Sequence, residues 1–276
     1  MRVQGNMAGA LVLAFATLWG VVAGAADRAE YRQFLEVTGF DVAITSMQQG
    51  AMAGPGIAGD APDAFGRQYT ALARRVFDPE LMLDRAVEMM EAVLPEPLLE
   101  HGMDFYGSEL GRRLVAVENE SHVTEDDVRH EQGREIVERL GETNPARLED
   151  YSAMMDAIGG VESSLRAVIE VQLRYLLAAM AAGSVDIDYS EAELRALLEE
   201  QAPEIRSNIA LYSMLGAAYT YRDMSDADIE AYRAALEDPA MMQVYEILNA
   251  IQFQVMAERY EALAEALAGL TPEQEI

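Results

Sequence analysis

The sequence contains no cysteine and no lysine, only three histidines and a single tryptophan. Without cysteine there is no disulfide, thiolate zinc site, iron–sulfur cluster, cysteine nucleophile or lipid-modified cysteine. Without lysine there is no P-loop lysine, Schiff base or Ser–Lys pair. His101, His122 and His130 are the only imidazoles, and no Gly-x-Ser-x-Gly elbow accompanies them, which argues against a serine hydrolase. Strand signals are scarce too: there is little period-two alternation and no Asn-Gly or Asp-Gly hairpin turn.

Carboxylates are what the chain has in excess. Its 48 acidic residues face 20 arginines, a formal charge of −28. That balance opposes phosphate backbones and anionic lipid, so no nucleic-acid partner is expected. With 51% hydrophobic and 25% charged residues over 276 positions, the composition is that of a globular chain with a sizeable core.

The N-terminus reads as an address. Arg2 precedes the apolar run Met7 to Val22, and Ala23-Gly24-Ala25 supplies small residues at the −3 and −1 positions of a signal-peptidase site. Residues 1–25 are therefore expected to be a signal peptide cleaved near Ala25, with a periplasmic destination. The competing reading is an uncleaved anchor, for which the run is short. No later stretch is apolar and long enough for stable membrane insertion.

Ala, Leu, Glu, Arg and Met dominate the remainder, and all favour helix. Caps punctuate the chain: Asp27, Asp78-Pro79, Ser190-x-x-Glu193 and Ser225 as starts, Gly39 and Gly159-Gly160 as stops. The segment from Gly54 to Pro62 reads as a loop, and Gly141 with Asn144-Pro145 as a break. An internal repeat is faintly visible. Tyr31 to Gly39 (YRQFLEVTG) matches Tyr151 to Gly159 (YSAMMDAIG) at a spacing of 120 residues, and Leu98 to Leu110 matches Asp228 to Ala240 at 130. The expectation is an all-α protein of two similar multi-helix halves, 26–142 and 143–276, with about ten extra residues near Gly183 to Tyr189.

Phe77 to Ser121 carries a more specific pattern. Phe77-Asp78-Pro79 heads a helix, and Phe105-Tyr106-Gly107-Ser108-Glu109-Leu110-Gly111-Arg112-Arg113-Leu114 follows it. This stretch resembles a bacterial exported family, domain of unknown function 2059. A degenerate copy lies in the second half, where Glu237-Asp238-Pro239 replaces the turn and Met241 stands at the glycine position. The resemblance implies a periplasmic all-helical protein and carries no catalytic residue. Physically the motif is a corner between two helices. Phe105 and Tyr106 pack beneath leucines, Gly107 ends the first helix with a positive φ, Ser108 caps the second, and Gly111 admits a neighbouring helix.

The sharpest polar pattern is Glu118, His122, Asp126 and His130, each four residues after the last. One continuous helix would line them along a face as a zinc, nickel or copper set. A start at Thr124 would instead break that helix and direct the two histidines differently. His101, beside Glu100 and Asp104, reads as a half-exposed helix residue. Asp186, Asp188 and Ser190 suggest a calcium loop, but Glu191 and Leu197 stand where Gly and Glu are required, which rejects an EF-hand. Glu120-Ser121 matches the Glu-Ser pair of lytic transglycosylases without the Gly-Leu-Met-Gln motif that should follow. Sixteen methionines, paired at Met89-Met90, Met154-Met155 and Met241-Met242, suit irregular core packing or an adaptable groove. The sequence thus points to a non-catalytic binding or structural module without a cofactor. Its partner would be a protein, peptide or lipid. The alternatives are a chaperone-like carrier with a Met-rich groove and a metal-binding protein or hydrolase using the Glu118-to-His130 region.

Overall fold

A computed structural model describes residues 27–52, 62–183, 185 and 189–269, with the side chains of 62–67 excepted. The expected signal segment 1–25, most of the expected loop from Gly54 and the acids Asp186 and Asp188 lie outside the described residues. Thirteen helices and no strand make up what is described, so the protein is all-α. They are α1 (Arg28–Thr38), α2 (Phe40–Met52), α3 (Pro62–Val76), α4 (Pro79–Val93), α5 (Glu96–Tyr106), α6 (Glu109–Val123) and α7 (Asp126–Thr143), followed by α8 (Pro145–Ala157), α9 (Gly160–Ala182), α10 (Glu191–Glu200), α11 (Ala202–Thr220), α12 (Asp226–Leu236) and α13 (Pro239–Leu267). Among the described residues no helix is long and apolar enough to cross a membrane.

The caps explain most of the boundaries. Asp27 accepts from the backbone of Ala29 and Glu30, and Glu30 returns the bond as a capping box. Ser190 with Glu193 and Ser225 with Asp228 repeat the device at α10 and α12. Gly39, at φ 77°, closes α1 in the left-handed region that side chains avoid. Two boundaries differ from expectation. Thr124 ends α6, and its hydroxyl bonds back to the Glu120 carbonyl, while Glu125 occupies the start of α7. Gly141 lies inside α7, which runs on to Thr143, because nothing but the following Asn144-Pro145 interrupts its backbone bonds.

One core cluster joins both ends of the chain. It contains Phe34, Leu35, Met82, Met90 and Leu114 together with Tyr151, Tyr232, Val244 and Val255. The connector is α13, which starts where Asp238 caps the Ala240 and Met241 amides behind Pro239. It packs against α3, α4 and α5 as well as α9 and α12. A smaller cluster of Leu165, Ile169, Leu173, Leu194 and Leu198 lies between α9 and α10.

The packing order of α1–α6 recurs in α8–α13. Helix α1 packs on α2, α4 and α5, and α8 packs on α9, α11 and α12. Helix α2 packs on α3, α4 and α6, and α9 packs on α10, α11 and α13. The α5–α6 turn passes through Gly107 (φ −72°, ψ −12°) and Ser108, and the α12–α13 turn through Glu237 (φ −74°, ψ −8°) and Asp238. Helix α9 holds 23 residues against 13 in α2. Helix α7 has no counterpart. It lies along α11 and against α8, and it reaches α11 so closely that a methyl group on Gly133 would stand 2.2 Å from the Leu215 carbonyl oxygen.

The corner motif forms with one correction. Gly107 keeps a right-handed φ, so its turn does not need positive-φ freedom; a Cβ there would meet the Met103 carbonyl at 2.7 Å. Ser108 caps α6 by accepting from the Gly111 amide at 3.0 Å. At Gly111 a Cβ would lie 2.3 Å from the Phe105 carbonyl, so the end of α5 is seated directly on that glycine.

Candidate functional site

The α5, α6, α11, α12 and α13 faces that meet at the core carry a cluster of tyrosine hydroxyls around one carboxylate. Glu118 Oε1 accepts from Tyr221 at 2.7 Å and from Tyr232 at 2.9 Å. The Tyr232 hydroxyl lies 3.1 Å from that of Tyr106 and 3.2 Å from that of Tyr245, and Tyr106 and Tyr245 bond to one another. Each phenol has one proton. Because Tyr232 spends its own on Glu118, its oxygen must accept from Tyr106 or Tyr245. The carboxylate therefore orients the group, and each bond polarises the next.

Burial sets the electrostatics. It pushes the Glu118 carboxyl above the ordinary glutamate range, and the two phenol bonds offset only part of that shift. Burial and the nearby carboxylate push the Tyr232 and Tyr221 phenols far up, so both remain protonated donors. Stacking fixes the rings: Phe105 lies parallel to Tyr232, with centroids 5.9 Å apart and planes 8° apart.

Glu118 also borders a cavity of about 330 Å³. Both bonds go to Oε1, and no hydrogen bond to Oε2 is found among the described residues. Around it stand the rings of Tyr221, Tyr232 and Tyr245, with Met154 and Met155 adding an apolar wall. Ser121 and Thr220 on the same lining are bonded to each other at 2.8 Å, so neither hydroxyl is a poised nucleophile. Asn119 Oδ1 and Arg129 Nε, from two further lining residues, are buried without partners.

A second hollow of about 550 Å³ adjoins the first across Ala43, His122, Arg129 and Gln252. Glu125, Asp126 and Asp127, at the start of α7, line it. Arg129 pairs with Asp126 there. His122 presents part of its ring to solvent, but surrounding packing and the Arg129 charge lower its pKa, so it is neutral at pH 7.

The four residues spaced for a metal do not converge. The break between α6 and α7 is the reason. Glu118 faces the tyrosines, Asp126 pairs with Arg129, and His130 packs its ring on Tyr212 at 4.4 Å between centroids. Among the described residues no group of three or more His, Asp or Glu side chains could hold a metal ion. The other candidates are dispersed as well. Glu120 is exposed and bound to Arg222, and His101 stands 3.4 Å from Asp238. Within the methionine pairs, Met90, Met154 and Met241 are buried, and Met242 is exposed beside a shallow groove with Phe253.

The tyrosine partners of Glu118 were not singled out from the sequence. A signal was there: 12 tyrosines exceed 7 phenylalanines. A tyrosine on a buried helix stripe needs a partner for its hydroxyl, and the apolar stripes containing Tyr106, Tyr232 and Tyr245 had none of their own. No family model matches the chain, and no curated protein or solved structure matches it either.

Proposed function

We propose that the protein is an exported, non-catalytic binding module whose ligand occupies the cavity beside Glu118. The observation that carries this reading is a buried carboxylate, Glu118, that lines the cavity and is held in place by two phenol bonds to its Oε1, leaving Oε2 without a partner among the described residues. A fixed acceptor in a cavity of about 330 Å³ suits recognition of a small polar molecule. The lining hydroxyls of Thr220 and Ser121 bond to one another, and among the described residues neither is joined to Glu118 or His122 as a nucleophile–base pair would be. The leader-like residues 1–25 support export, as does the resemblance of Phe77 to Ser121 to domain of unknown function 2059. The matching packing of α1–α6 and α8–α13 supports descent from a duplicated helical unit.

The test is a titration of the purified chain with small amines, carboxylates and sugars, followed through the tyrosine ring resonances. Saturable movement of the Tyr221 and Tyr232 signals is expected for at least one class. Silence across all classes overturns the binding reading. Fractionation of cells expressing the full chain tests export separately: the expected result is a periplasmic product shortened by its leader, and a full-length cytoplasmic product overturns that part.

A further inference from the structure

The geometry points to a small organic cation, a primary amine or guanidinium compound, as the ligand of the Glu118 cavity. This rests on the binding-module reading and narrows it. Three features with separate origins agree on the sign of the ligand. The first is Glu118, which lines the cavity and whose Oε1 already takes two phenol protons, leaving Oε2 without a partner among the described residues. A cation beside Oε2 would offset the burial that disfavours the charged form, and the ionised carboxylate it favours accepts and never donates. The second is the wall. Tyr221, Tyr232 and Tyr245 border the same cavity, and aromatic faces attract cations while repelling anions. The third is the approach, where Glu125, Asp126 and Asp127 line the adjoining hollow. Clustered charge of one sign in a cleft raises the local concentration of its counterion and speeds encounter.

Two lining groups bear the opposite charge or could acquire it. Arg129 is paired with Asp126, and its neighbours Glu125 and Asp127 leave the mouth net negative. His122 is held neutral at pH 7. Among the described residues, the only formal charge on the inner lining besides Arg129 is that of Glu118. A dicarboxylate or phosphate would bring further negative charge against Glu118, and among the described lining residues the one charged donor that could meet it is Arg129, whose Nε has no hydrogen-bond partner.

The experiment is isothermal titration of the purified chain with putrescine and agmatine, with succinate and glucose as controls. The expected result is one-to-one binding of at least one of the two amines and none of succinate. Glu118→Gln should weaken the amine at least tenfold. Asp127→Asn, on an exposed residue remote from the core, should slow association and flatten its dependence on salt while leaving dissociation nearly unchanged. Circular dichroism checks that each variant remains folded. Should Glu118→Gln prove unfolded, the Asp127→Asn kinetics decide alone, and an unchanged association rate overturns the inference. Binding of succinate or glucose but no amine overturns the cation while leaving the binding module standing. No heat from any of the four compounds, with unmoved tyrosine resonances, overturns both.

Discussion

Gly133 and Gly141 occupy the same helix and should answer the same substitution with opposite signs. In a helix interior, Gly→Ala ordinarily gains about 1 kcal/mol by narrowing the unfolded ensemble and improving propensity. Gly141 is open to that gain, since a Cβ there meets nothing within 4 Å. Gly133→Ala would place its methyl 2.2 Å from the Leu215 carbonyl oxygen and 2.8 Å from the carbonyl carbon. Those are backbone atoms of α11, and they cannot rotate aside. Helices α7 and α11 would have to separate, at an overpacking cost of about 1–3 kcal/mol that exceeds the propensity gain. Gly141→Ala should stabilise by about 0.5–1 kcal/mol and Gly133→Ala should destabilise by about 1–2 kcal/mol. For a chain of this size 1 kcal/mol moves the melting temperature by roughly 2–4 °C, so the two variants should part by about 5 °C. Thermal and urea unfolding followed by circular dichroism measure this directly. Equal shifts of the same sign would refute the close α7–α11 approach. So would a stabilised Gly133→Ala.

Other outcomes follow from the buried polar groups. Tyr232→Phe keeps the ring but removes the proton given to Glu118, and urea unfolding at pH 7 should register a loss of about 1.5–3 kcal/mol. Burial raises the Glu118 proton affinity in the folded chain above that in the unfolded chain, so stability falls as pH rises from the ordinary glutamate range through the raised value. Glu118→Gln should therefore gain on the parent at pH 7 and show no such gain at pH 3.5; an equal difference at both would remove the burial argument. Arg147, 7% exposed, bonds Tyr151 and the carbonyls of Tyr221 and Met224, and Arg147→Lys should lose about 2 kcal/mol or more because an ammonium cannot span that fork. Asp228, whose pKa is lowered to about 2 by Arg113 and then by Ser225, supplies stability that is present above the ordinary aspartate range and lost as pH falls through that value. Asp228→Asn should flatten the acid limb of the unfolding curve between pH 4 and 2.

Helix type and most helix ends were legible because they depend on local chemistry. Asp27, Gly39, Ser190, Ser225 and Pro239 each act within a few residues of their own position. Thr124 was harder. Its hydroxyl can cap the helix ahead or bond the carbonyl behind, and the choice of Glu120 turns on where α7 must run to reach α11. Gly141 reads as a breaker from sequence because propensity is a weak prior that continuous backbone bonding overrides. The Glu118 cluster was out of reach for a different reason. Its members span 139 residues between Tyr106 and Tyr245, and no local spacing encodes a meeting of five helices. The i, i+4 series did mark Glu118 as unusual but assigned it the wrong companions. His122, Asp126 and His130 share its spacing, whereas Tyr221 and Tyr232 share its space.

The place of α13 in the core bears on the timing of folding. Val244, Leu248 and Val255 of α13 share a buried cluster with Phe34, Leu35, Met82 and Leu114, yet α6 ends at Val123 and α13 begins only at Pro239. At roughly 5–20 residues per second, the first six helices wait about ten seconds for the helix that closes them. A nascent chain in that interval lacks the apolar side chains that α13 contributes to this cluster, so the packing of the first six helices is completed only after α13 has been made.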